Sequence, residues 1–293
     1  MNRLLIVGFG DIAKRALAPL AEHFSVSALV RPERMAEAPA FPAAQFAAGD
    51  LDDPASLAHL ARGFNNIVHL APPANRGTAD RRTAHLLAAL AVGRLPAQRL
   101  VYISTSGVYG DCGGEWVDEQ RPVNPLSDRA RRRVDAERSI LAFGSTHDVR
   151  TVILRVPGIY AADRMPLERL RKRTPVLRAE DDVYTNHIHA EDLVQIVVTA
   201  LTHADAEGVY NACDDSALKM GEWLDLLADR AGLPRPPRIA RAEATQRIPA
   251  PLFSFMSESR RLVNKRIKEQ LAVRLRYPTV FDGIAIPVTP RGQ

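Results

Sequence analysis

The sequence contains little cysteine and no long apolar run, and each absence excludes a class of protein. Its two cysteines, Cys112 and Cys213, are far apart and lack the spacing of a metal-binding or redox motif. They predict no metal site and a reducing, cytoplasmic location. No apolar run approaches the ~20 residues of a membrane-spanning helix. Because an apolar strand pattern begins within the first few residues, we also expect no signal peptide.

Aromatic residues are scarce as well, at 6% of the chain. The formal net charge of +5 would by itself be compatible with nucleic-acid binding. However, the positive charge is mostly arginine spread among many alanines and prolines, and the basic runs 129–133 and 169–173 lack interleaved aromatic side chains. We therefore expect no nucleic-acid partner. The hydrophobic share of 46% and the charged share of 25% are those of an ordinary globular protein.

The most informative stretch lies at the start of the chain, where the apolar run Leu4–Val7 predicts a strand buried on both faces. The motif Gly8-x-Gly10-x-x-Ala13 follows it, and apolar residues then recur at helical spacing. Strand, glycine turn and helix in this order indicate a dinucleotide-binding site, whose pyrophosphate meets the turn and the helix N-terminus. We expect Asp11 to cap this helix and to point away from the pyrophosphate. The alternative is an ordinary strand-to-helix turn that needs glycine for bending.

The second predicted strand, Ser25–Val30, ends in the basic turn Arg31-Pro32-Glu33-Arg34, about 20 residues beyond the glycines. An enzyme that uses NAD places an acidic residue near this point to bind the ribose 2′-hydroxyl, whereas an arginine suits the 2′-phosphate of NADP. Arg31 and Arg34 therefore favour NADP(H) as the cofactor, with NAD(H) left open. The alternative is a turn with two solvent-exposed arginines.

Strand patterns alternate with helical patterns through the first half of the chain. The predicted strands are 4–7, 25–30, 45–48, 66–73, 99–103 and 150–156, and the predicted helices include 54–62, 79–92, 126–143, 190–202, 220–231 and 258–271. This alternation predicts an α/β fold with a doubly wound parallel sheet. We expect a dinucleotide-binding domain over residues 1–162 and a smaller substrate lobe over 163–293, with helix 190–202 and the strands near 184–212 partly threaded back onto the sheet.

Several motifs resemble those of one protein family. Besides the N-terminal glycine turn, they are Gly49-Asp50-Leu51, His69-Leu70-Ala71, Tyr102-Ile103-Ser104-Thr105-Ser106-Gly107-Val108-Tyr109-Gly110, Arg155-x-Pro157-Gly158-Ile159-Tyr160 and His187-Ile188-His189-Ala190-Glu191-Asp192-Leu193. Together they resemble the extended short-chain dehydrogenase/reductase superfamily, of the NAD-dependent epimerase/dehydratase type. The resemblance covers nearly the whole chain, and it implies a Rossmann fold, a pyridine-nucleotide cofactor and a small-molecule substrate.

The resemblance also implies which residues contact the cofactor. Gly8, Gly10 and Ile12, with Asp11 beside them, would contact the pyrophosphate, and Asp50 and Leu51 would contact the adenine. Leu70, Ala71 and Pro72 would lie under the ribose and nicotinamide. Pro157, Gly158 and Ile159 would lie over the nicotinamide. Thr105 falls on the catalytic serine or threonine of the family.

The chain departs from the family pattern in two places. The usual loop has three glycines, and its first position here is Val7. More seriously, no Tyr-x-x-x-Lys occurs in the sequence, and in the family this pair transfers the proton and holds the ribose. Counting back from Ala136-Glu137 places Arg129 at the tyrosine position and Arg133 at the lysine position. The resemblance is therefore to an atypical member that keeps the fold and the cofactor site.

Arg129 and Arg133 are one helical turn apart, as the tyrosine and lysine of the family are, but an arginine does not have the proton-transfer chemistry of the tyrosine. Arg133 can still donate hydrogen bonds to the ribose, yet neither guanidinium can shuttle protons because its pKa lies above ~12. Both arginines could instead bind a carboxylate or phosphate, or form a solvated helix face. A reduction would then need another proton donor, and the candidates are Tyr109 and Thr105. The alternative for Tyr109 is an aromatic ring packed under its loop.

These residues leave two functions open. The first is an NADP-dependent oxidoreductase or epimerase-like enzyme acting on a small polar or sugar-type substrate. The second is a redox-inactive NADP(H)-binding protein that acts as a sensor or regulates a partner. Extended members of the superfamily are often homodimers, but the basic helix 126–143 makes that dimer less favourable here. His187 and His189 have no third ligand nearby, so we expect no metal.

Overall fold

The computed structural model describes residues 2–93 and 97–284. The strands of this part of the chain are β1 Arg3–Val7, β2 Ser25–Val30, β3 Ala44–Ala48, β4 Asn66–His69, β5 Arg99–Thr105, β6 Trp116–Val117, β7 Arg150–Val156, β8 Gly158–Tyr160, β9 Val176–Leu177, β10 Tyr184–Thr185, β11 His187–His189, β12 Gly208–Asn211, β13 Leu218–Lys219, β14 Arg238–Ile239 and β15 Arg261–Leu262. The α-helices are α1 Asp11–Ala21, α2 Arg81–Ala91, α3 Asp128–His147, α4 Leu167–Arg171, α5 Ala190–Thr202, α6 Met220–Ala231, α7 Arg241–Arg247, α8 Ala250–Phe253, α9 Lys265–Gln270 and α10 Val280–Gly283. Short 3₁₀ helices cover Pro32–Ala40, Pro54–Arg62, Ser106–Tyr109, Ala162–Arg164 and Ser254–Met256. Within the described ranges, none of the helices is both long enough and apolar enough to cross a bilayer.

Seven strands form the central sheet in the order β12-β7-β5-β4-β1-β2-β3, and every neighbouring pair is parallel. The chain moves outward from β1 through β2 to β3, and then crosses to the other side of β1 with β4. The strand order therefore reverses between β1 and β4, and open α/β sheets bind their ligands at the carboxyl ends of such strands. The predicted α/β fold with a doubly wound parallel sheet is confirmed.

Strand β1 is apolar on both faces because helices cover both faces of the sheet. Leu4 and Ile6 belong to the apolar cluster under α1 and α5, while Leu5 and Val7 belong to the cluster under α2 and α3. All four side chains are fully buried. This two-sided burial explains the absence of polar alternation in the run. It also holds the turn that follows β1 at the centre of the molecule.

The C-terminal third contributes to two different parts of the structure. A separate apolar cluster surrounds Trp223, Leu224 and Leu227 of α6, and Tyr160 reaches into it. In contrast, α5 packs beside α1, and β12 pairs with β7 as the outermost strand of the central sheet. We keep the division between 1–162 and 163–293 as a proposal, in which α5 and β12 belong to the second part of the chain but pack onto the sheet of the first.

One predicted helix, 258–271, is wrong. The structure has strand β15 and the short helix α9 in its place. The reason is long-range pairing, because β15 lies parallel to β6, which precedes it by about half of the chain. This pairing outweighs the helical spacing of the apolar residues. It also brings the segment before β15 to the carboxyl edge of the central sheet.

Candidate functional site

Two cavities open along the carboxyl edge of the central sheet. The first has a volume of about 440 Å³ and lies at the ends of β1, β2 and β4, where the strand order reverses. The second has a volume of about 370 Å³ and lies beyond the ends of β5 and β7, with the C-terminal third of the chain as its far wall. Because β4, β5 and β7 are consecutive in the sheet, the two cavities follow each other along one edge.

Most of the residues expected to hold a cofactor line the first cavity. They are Gly8, Gly10, Arg31, Arg34, Asp50, Leu51, Leu70, Ala71 and Pro72. Pro157, Gly158 and Ile159 line the second cavity instead, together with Thr105 and Arg129. This distribution matches an elongated ligand that would begin in the first cavity and end at the second.

Gly8 forms the floor of the first cavity, at the end of β1. Its backbone adopts φ +91°, in the region that favours glycine, and the backbone of Ala71 lies directly against it. The loop after β4 is fixed in this position because the Val7 carbonyl accepts hydrogen bonds from the amides of Leu70 and Ala71, at 2.8 and 3.0 Å. The turn and the loop after β4 therefore form one packed unit.

Asp11 does not cap α1, contrary to our expectation. Gly10 occupies the N-cap position, and Asp11 is the first residue of the helix. The Asp11 carboxylate accepts hydrogen bonds from Arg164 and from Arg15, and Arg15 also donates to Asp163. Asp11 and the following Ile12 do not line either cavity. The N-terminus of α1 thus lacks a side-chain cap, which leaves its amides available to an anion.

Arg31 and Arg34 both line the first cavity, and each lies beside a glutamate. Arg34 donates two hydrogen bonds to Glu37, at 2.7 and 2.9 Å, and Lys14 donates a third at 3.0 Å. These donors lower the pKa of Glu37 to about 2, so Glu37 stays charged and keeps Arg34 occupied. Arg31 makes a single 3.2 Å contact with Glu33, and both side chains are more than half exposed. Arg31 is therefore the freer guanidinium.

Asp50 and Leu51 follow β3 and form the wall opposite the glycine turn. The Asp50 carboxylate accepts a hydrogen bond from the Asp52 amide at 2.9 Å, and the Leu51 carbonyl accepts one from His85 at 2.7 Å. The carboxylate of Asp52 in turn pairs with Arg82, which lines the same cavity. The wall is thus held by hydrogen bonds that do not depend on a ligand.

Thr105 ends β5 and caps the 3₁₀ helix that follows. Its Oγ1 accepts a hydrogen bond from the Gly107 amide at 3.3 Å. A hydroxyl that accepts in this way keeps its own hydrogen for another partner. Since Thr105 lines the second cavity, that partner can be a substrate oxygen.

Arg133 packs against the sheet and lines neither cavity. It donates hydrogen bonds to the Ile103 carbonyl at 2.8 Å and to the Tyr102 hydroxyl at 2.9 Å. Its guanidinium also lies 5.6 Å from the centre of the Tyr102 ring. Arg133 therefore supports the carboxyl end of β5, and the expected hydrogen bond to the ribose stays a prediction.

Tyr109 is not placed to serve as a proton donor, which corrects one of the two candidates. It is 1% exposed, and its hydroxyl donates to Asn211 Oδ1 at 2.8 Å, away from both cavities. Burial raises the pKa of Tyr109 to about 12, although the Arg155 guanidinium, 4.7 Å from the ring centre, opposes this. The structure therefore favours the alternative of an aromatic ring packed under its loop.

Arg129 projects from α3 into the second cavity, where it lies with Thr105. The centre of its guanidinium is 4.3 Å from the centre of the Phe255 ring. Burial lowers the pKa of Arg129, and the negative charge of Glu258 opposes this effect. Among the described residues, no acceptor forms a hydrogen bond or an ion pair with the Arg129 guanidinium. The cavity thus contains a cation with no directly bound counter-ion.

Sequence reasoning missed the far wall of the second cavity. Its polar and aromatic members are Tyr184, Thr185, Asn186, His187, Trp223, Phe255, Glu258 and Arg260. Only His187 belongs to one of the sequence motifs that resemble the family, since β10, β11, α6 and the segment before β15 are brought together by tertiary packing. That motif was the one available signal, and it contributed to the family resemblance without indicating a cavity wall.

His187 is the least satisfied polar residue of this wall. Its ring packs against Trp223 at a 40° tilt with centres 4.4 Å apart, and its Nδ1 is buried without a hydrogen-bond partner among the described residues. Burial lowers the pKa of His187 to about 3, so the imidazole is neutral at physiological pH. His189, two residues on, uses its Nδ1 to accept from the Glu191 amide. In the described ranges, no three histidine, cysteine or acidic side chains cluster as metal ligands would.

The sequence profile of the NAD dependent epimerase/dehydratase family matches residues 12–213, which is more than half of the chain. The protein belongs to this family. Membership supports the binding of a pyridine nucleotide, and it accounts for the doubly wound sheet.

Similar proteins agree with this assignment. The chain is 27% identical to the GDP-6-deoxy-D-mannose reductase of Pseudomonas aeruginosa over 225 residues, which cover 66% of this chain and 74% of the relative. A functionally unknown conserved protein from Silicibacter pomeroyi has a similar structure, with TM-score 0.78, 29% identity and 97% and 96% of the two chains covered. The UDP-glucose 4-epimerase of Thermus thermophilus, solved in complex with NAD, shares the fold at TM-score 0.71 with 20% identity and 96% of both chains covered.

The residues of the first cavity fit the cofactor that the family implies. A Cβ placed on Gly10 would meet no atom within 4 Å, so open space lies in front of the uncapped α1 N-terminus. Such an N-terminus attracts the charge of a pyrophosphate. Beside it, Leu70, Ala71 and Pro72 offer a mostly apolar surface on the way to the second cavity.

Proposed function

We propose that this protein is an NADP(H)-dependent oxidoreductase of the epimerase/dehydratase type that acts on a small polar or sugar-type substrate. The observation that carries the proposal is the pair of cavities along the carboxyl edge of one sheet. The first cavity would hold the cofactor, and the second would hold the substrate beside Thr105 and the segment Pro157–Ile159. NAD(H) is the alternative cofactor.

The preference for NADP(H) rests on Arg31. A 2′-phosphate is a strong acceptor, and an arginine binds it with charge-assisted hydrogen bonds. Arg31 lines the first cavity, and its one ion-pair contact among the described residues is with the exposed Glu33. A phosphate could take the place of Glu33 in that contact. Arg34 is held by Glu37, so we assign it a supporting role.

The bound nicotinamide would supply or accept a hydride next to the substrate carbon. Thr105 would donate its free hydroxyl hydrogen to the substrate oxygen and hold it during that transfer. Arg129 cannot give up a proton at neutral pH, and Tyr109 is buried away from the cavity. We therefore propose that the proton consumed in a reduction comes from water that reaches the second cavity. Pro157, Gly158 and Ile159 would cover the reacting atoms.

A redox-inactive NADP(H)-binding protein is the second candidate. The observation that favours it is the position of Arg129, which lies in the second cavity where the family pattern has its tyrosine. In this case, a ligand in the second cavity would change the conformation of the protein without being oxidised or reduced.

Binding titrations test the cofactor assignment. NADPH and NADH are titrated into the protein, and nicotinamide fluorescence reports the bound fraction. We expect tighter binding of NADPH, and at least ~10-fold weaker NADPH binding in Arg31→Gln with little change for NADH. Arg138→Gln, at an exposed position of α3, is the matched control. Equal or tighter binding of NADH would contradict the preference.

Turnover separates the two functions. Oxidation of NADPH is followed with a panel of aldoses, ketoses and their acids, and Thr105→Val removes the hydroxyl while keeping the volume. We expect turnover with at least one substrate and a loss of roughly 100-fold in kcat for Thr105→Val, compared with an unchanged Thr146→Val control. Tight NADPH binding without turnover on any substrate would favour the redox-inactive candidate.

A further inference from the structure

The guanidinium of Arg129 offers an unused binding edge to the second cavity. The centre of the guanidinium lies over the Phe255 ring, 4.3 Å from the ring centre. A guanidinium that stacks on an aromatic ring uses its face, whereas its N–H donors point outward in the plane. Among the described residues, no acceptor binds those donors. The side chain is therefore in contact with Phe255, and its donors, which recognise planar anions, have no acceptor among the described residues.

The other charges of the cavity are already paired. Arg260 donates to Glu258 at 2.9 Å and to the Gly110 carbonyl at 2.7 Å, and the side chains of the pair are only 11% and 15% exposed. Arg164 pairs with Asp11. These pairs cancel, so among the described residues Arg129 is the one cation of the second cavity without an ion-pair partner. Arg129 is an exposed residue, so an anion that enters the cavity can reach it.

We infer that the second cavity takes a substrate with a single carboxylate, whose two oxygens accept hydrogen bonds from two N–H groups along one edge of the Arg129 guanidinium. This inference rests on the proposed function and names the substrate class for the same site. The single unpaired charge of Arg129 decides between a carboxylate and a phosphate, because one positive charge balances a singly charged anion and leaves a doubly charged phosphate half uncompensated. A planar carboxylate carries one charge and matches the guanidinium in geometry.

The experiment uses Trp223 as the reporter of this cavity. The chain has two tryptophans, and Trp116 is exposed on β6, so Trp116→Phe leaves Trp223 as the single fluorophore. In the presence of saturating NADPH, this variant is titrated with matched pairs that differ in one group: D-glucuronate and D-glucose, and D-galacturonate and D-galactose. D-glucose 6-phosphate serves as the dianion, and calorimetry on the unsubstituted protein repeats each titration.

We expect at least one acid to bind ~10-fold or more tightly than both its neutral partner and the phosphate. Arg129→Gln should weaken the binding of that acid by ~10-fold or more while leaving the neutral sugar unchanged. The control Arg131→Gln lies on the same helix, where Arg131 pairs with Asp128 outside the cavity, and should bind like the parent. For any acid that is turned over, Arg129→Gln should raise KM more than it lowers kcat.

Three results would overturn the inference. They are the failure of every acid to bind more tightly than its neutral partner, an equal loss for acid and neutral sugar in Arg129→Gln, and tightest binding of the phosphate. The proposed function fails separately, by the absence of NADPH binding or of turnover. NADPH affinity is measured in every variant, so the two failures are distinguished.

Discussion

A Cβ atom placed on Gly8 would lie 2.5 Å from the backbone nitrogen of Ala71, whereas one placed on Gly10 would meet nothing within 4 Å. The two glycines of the motif therefore have different roles. Gly8 is required by the packing of the turn against the loop after β4. Gly10 is free of such contacts and leaves space in front of the α1 N-terminus.

Alanine substitutions should separate these roles. Gly8→Ala forces a side chain into backbone at φ +91°, so we expect a loss of about 2–3 kcal/mol in the free energy of unfolding. Gly10→Ala should change that free energy by less than ~0.5 kcal/mol, yet weaken NADPH binding by ~10-fold or more because the methyl group occupies the space expected for the pyrophosphate. Urea unfolding and nicotinamide fluorescence measure the two effects. Unchanged NADPH binding in Gly10→Ala would place the cofactor elsewhere.

Tyr109→Phe tests whether the tyrosine is structural. The substitution leaves Asn211 Oδ1 without its donor in a buried position, so we expect a loss of about 1–2 kcal/mol in the free energy of unfolding. Turnover and NADPH affinity should stay within about twofold of the parent, since the hydroxyl does not face either cavity. A large loss of kcat without loss of stability would return Tyr109 to the catalytic candidates.

Glu137 and Arg155 form a buried ion pair beneath the end of β5, with an Nη2–Oε2 distance of 2.7 Å and side-chain exposures of 5% and 7%. The Ser104 hydroxyl also donates to Glu137. Glu137→Leu would leave the arginine buried and unpaired, at a cost of about 3–5 kcal/mol. The double variant Glu137→Leu/Arg155→Met should recover most of this loss, because no charge stays buried. Thermal and urea unfolding of the single and double variants measure the coupling, and additive losses would contradict it.

Asp214 makes stability depend on pH in the neutral range. Burial raises the pKa of this carboxyl to about 7, and its Oδ2 has no hydrogen-bond partner among the described residues. The unfolded chain releases this proton near pH 4, whereas the folded protein keeps it until about pH 7. The contribution of Asp214 is therefore fully present below pH ~4 and declines as the pH rises toward 7, by on the order of 2–4 kcal/mol.

Asp214→Asn isolates this contribution. The amide cannot ionise and keeps an oxygen for the Ser216 amide, which donates to Asp214 at 2.9 Å. The free energy of unfolding is measured for both proteins between pH 4.5 and 8, and the difference between them should grow in favour of the variant as the pH rises. His187 makes the free energy of unfolding depend on pH in the opposite direction, because its lowered pKa costs stability as the pH falls below its ordinary pKa. Both proteins contain His187, so its effect cancels when one free energy is subtracted from the other. A constant difference across the range would contradict the prediction.

The sequence was most informative where function depends on consecutive residues. The glycine turn, the basic end of β2 and the threonine at the end of β5 each follow from a strand and the few residues after it. Their positions along one sheet edge follow from the rule that parallel strands present their carboxyl ends together. Arg129 was placed near that edge by the family resemblance, through its spacing from Ala136-Glu137.

The far wall of the second cavity could not be predicted in this way. Phe255 stacks on Arg129, and Glu258 lies near it, only because β15 pairs with β6 and draws the preceding segment across the sheet edge. Tyr109 fails as a donor for a similar reason, since its burial depends on Asn211 at the end of β12. Pairings between distant segments are set by tertiary packing, which a local pattern does not encode.

The two cavities are also completed at different stages of synthesis on the ribosome. Every residue that lines the first cavity lies between Val7 and Arg82, whereas the lining of the second extends from Thr105 to Arg260. Because chains fold progressively from the N-terminus as they emerge, the first cavity can form while most of the chain is still unmade. The second cannot close until β15 has left the exit tunnel and paired with β6. A nascent chain stalled before β15 would therefore carry the walls for a nucleotide without those for a substrate.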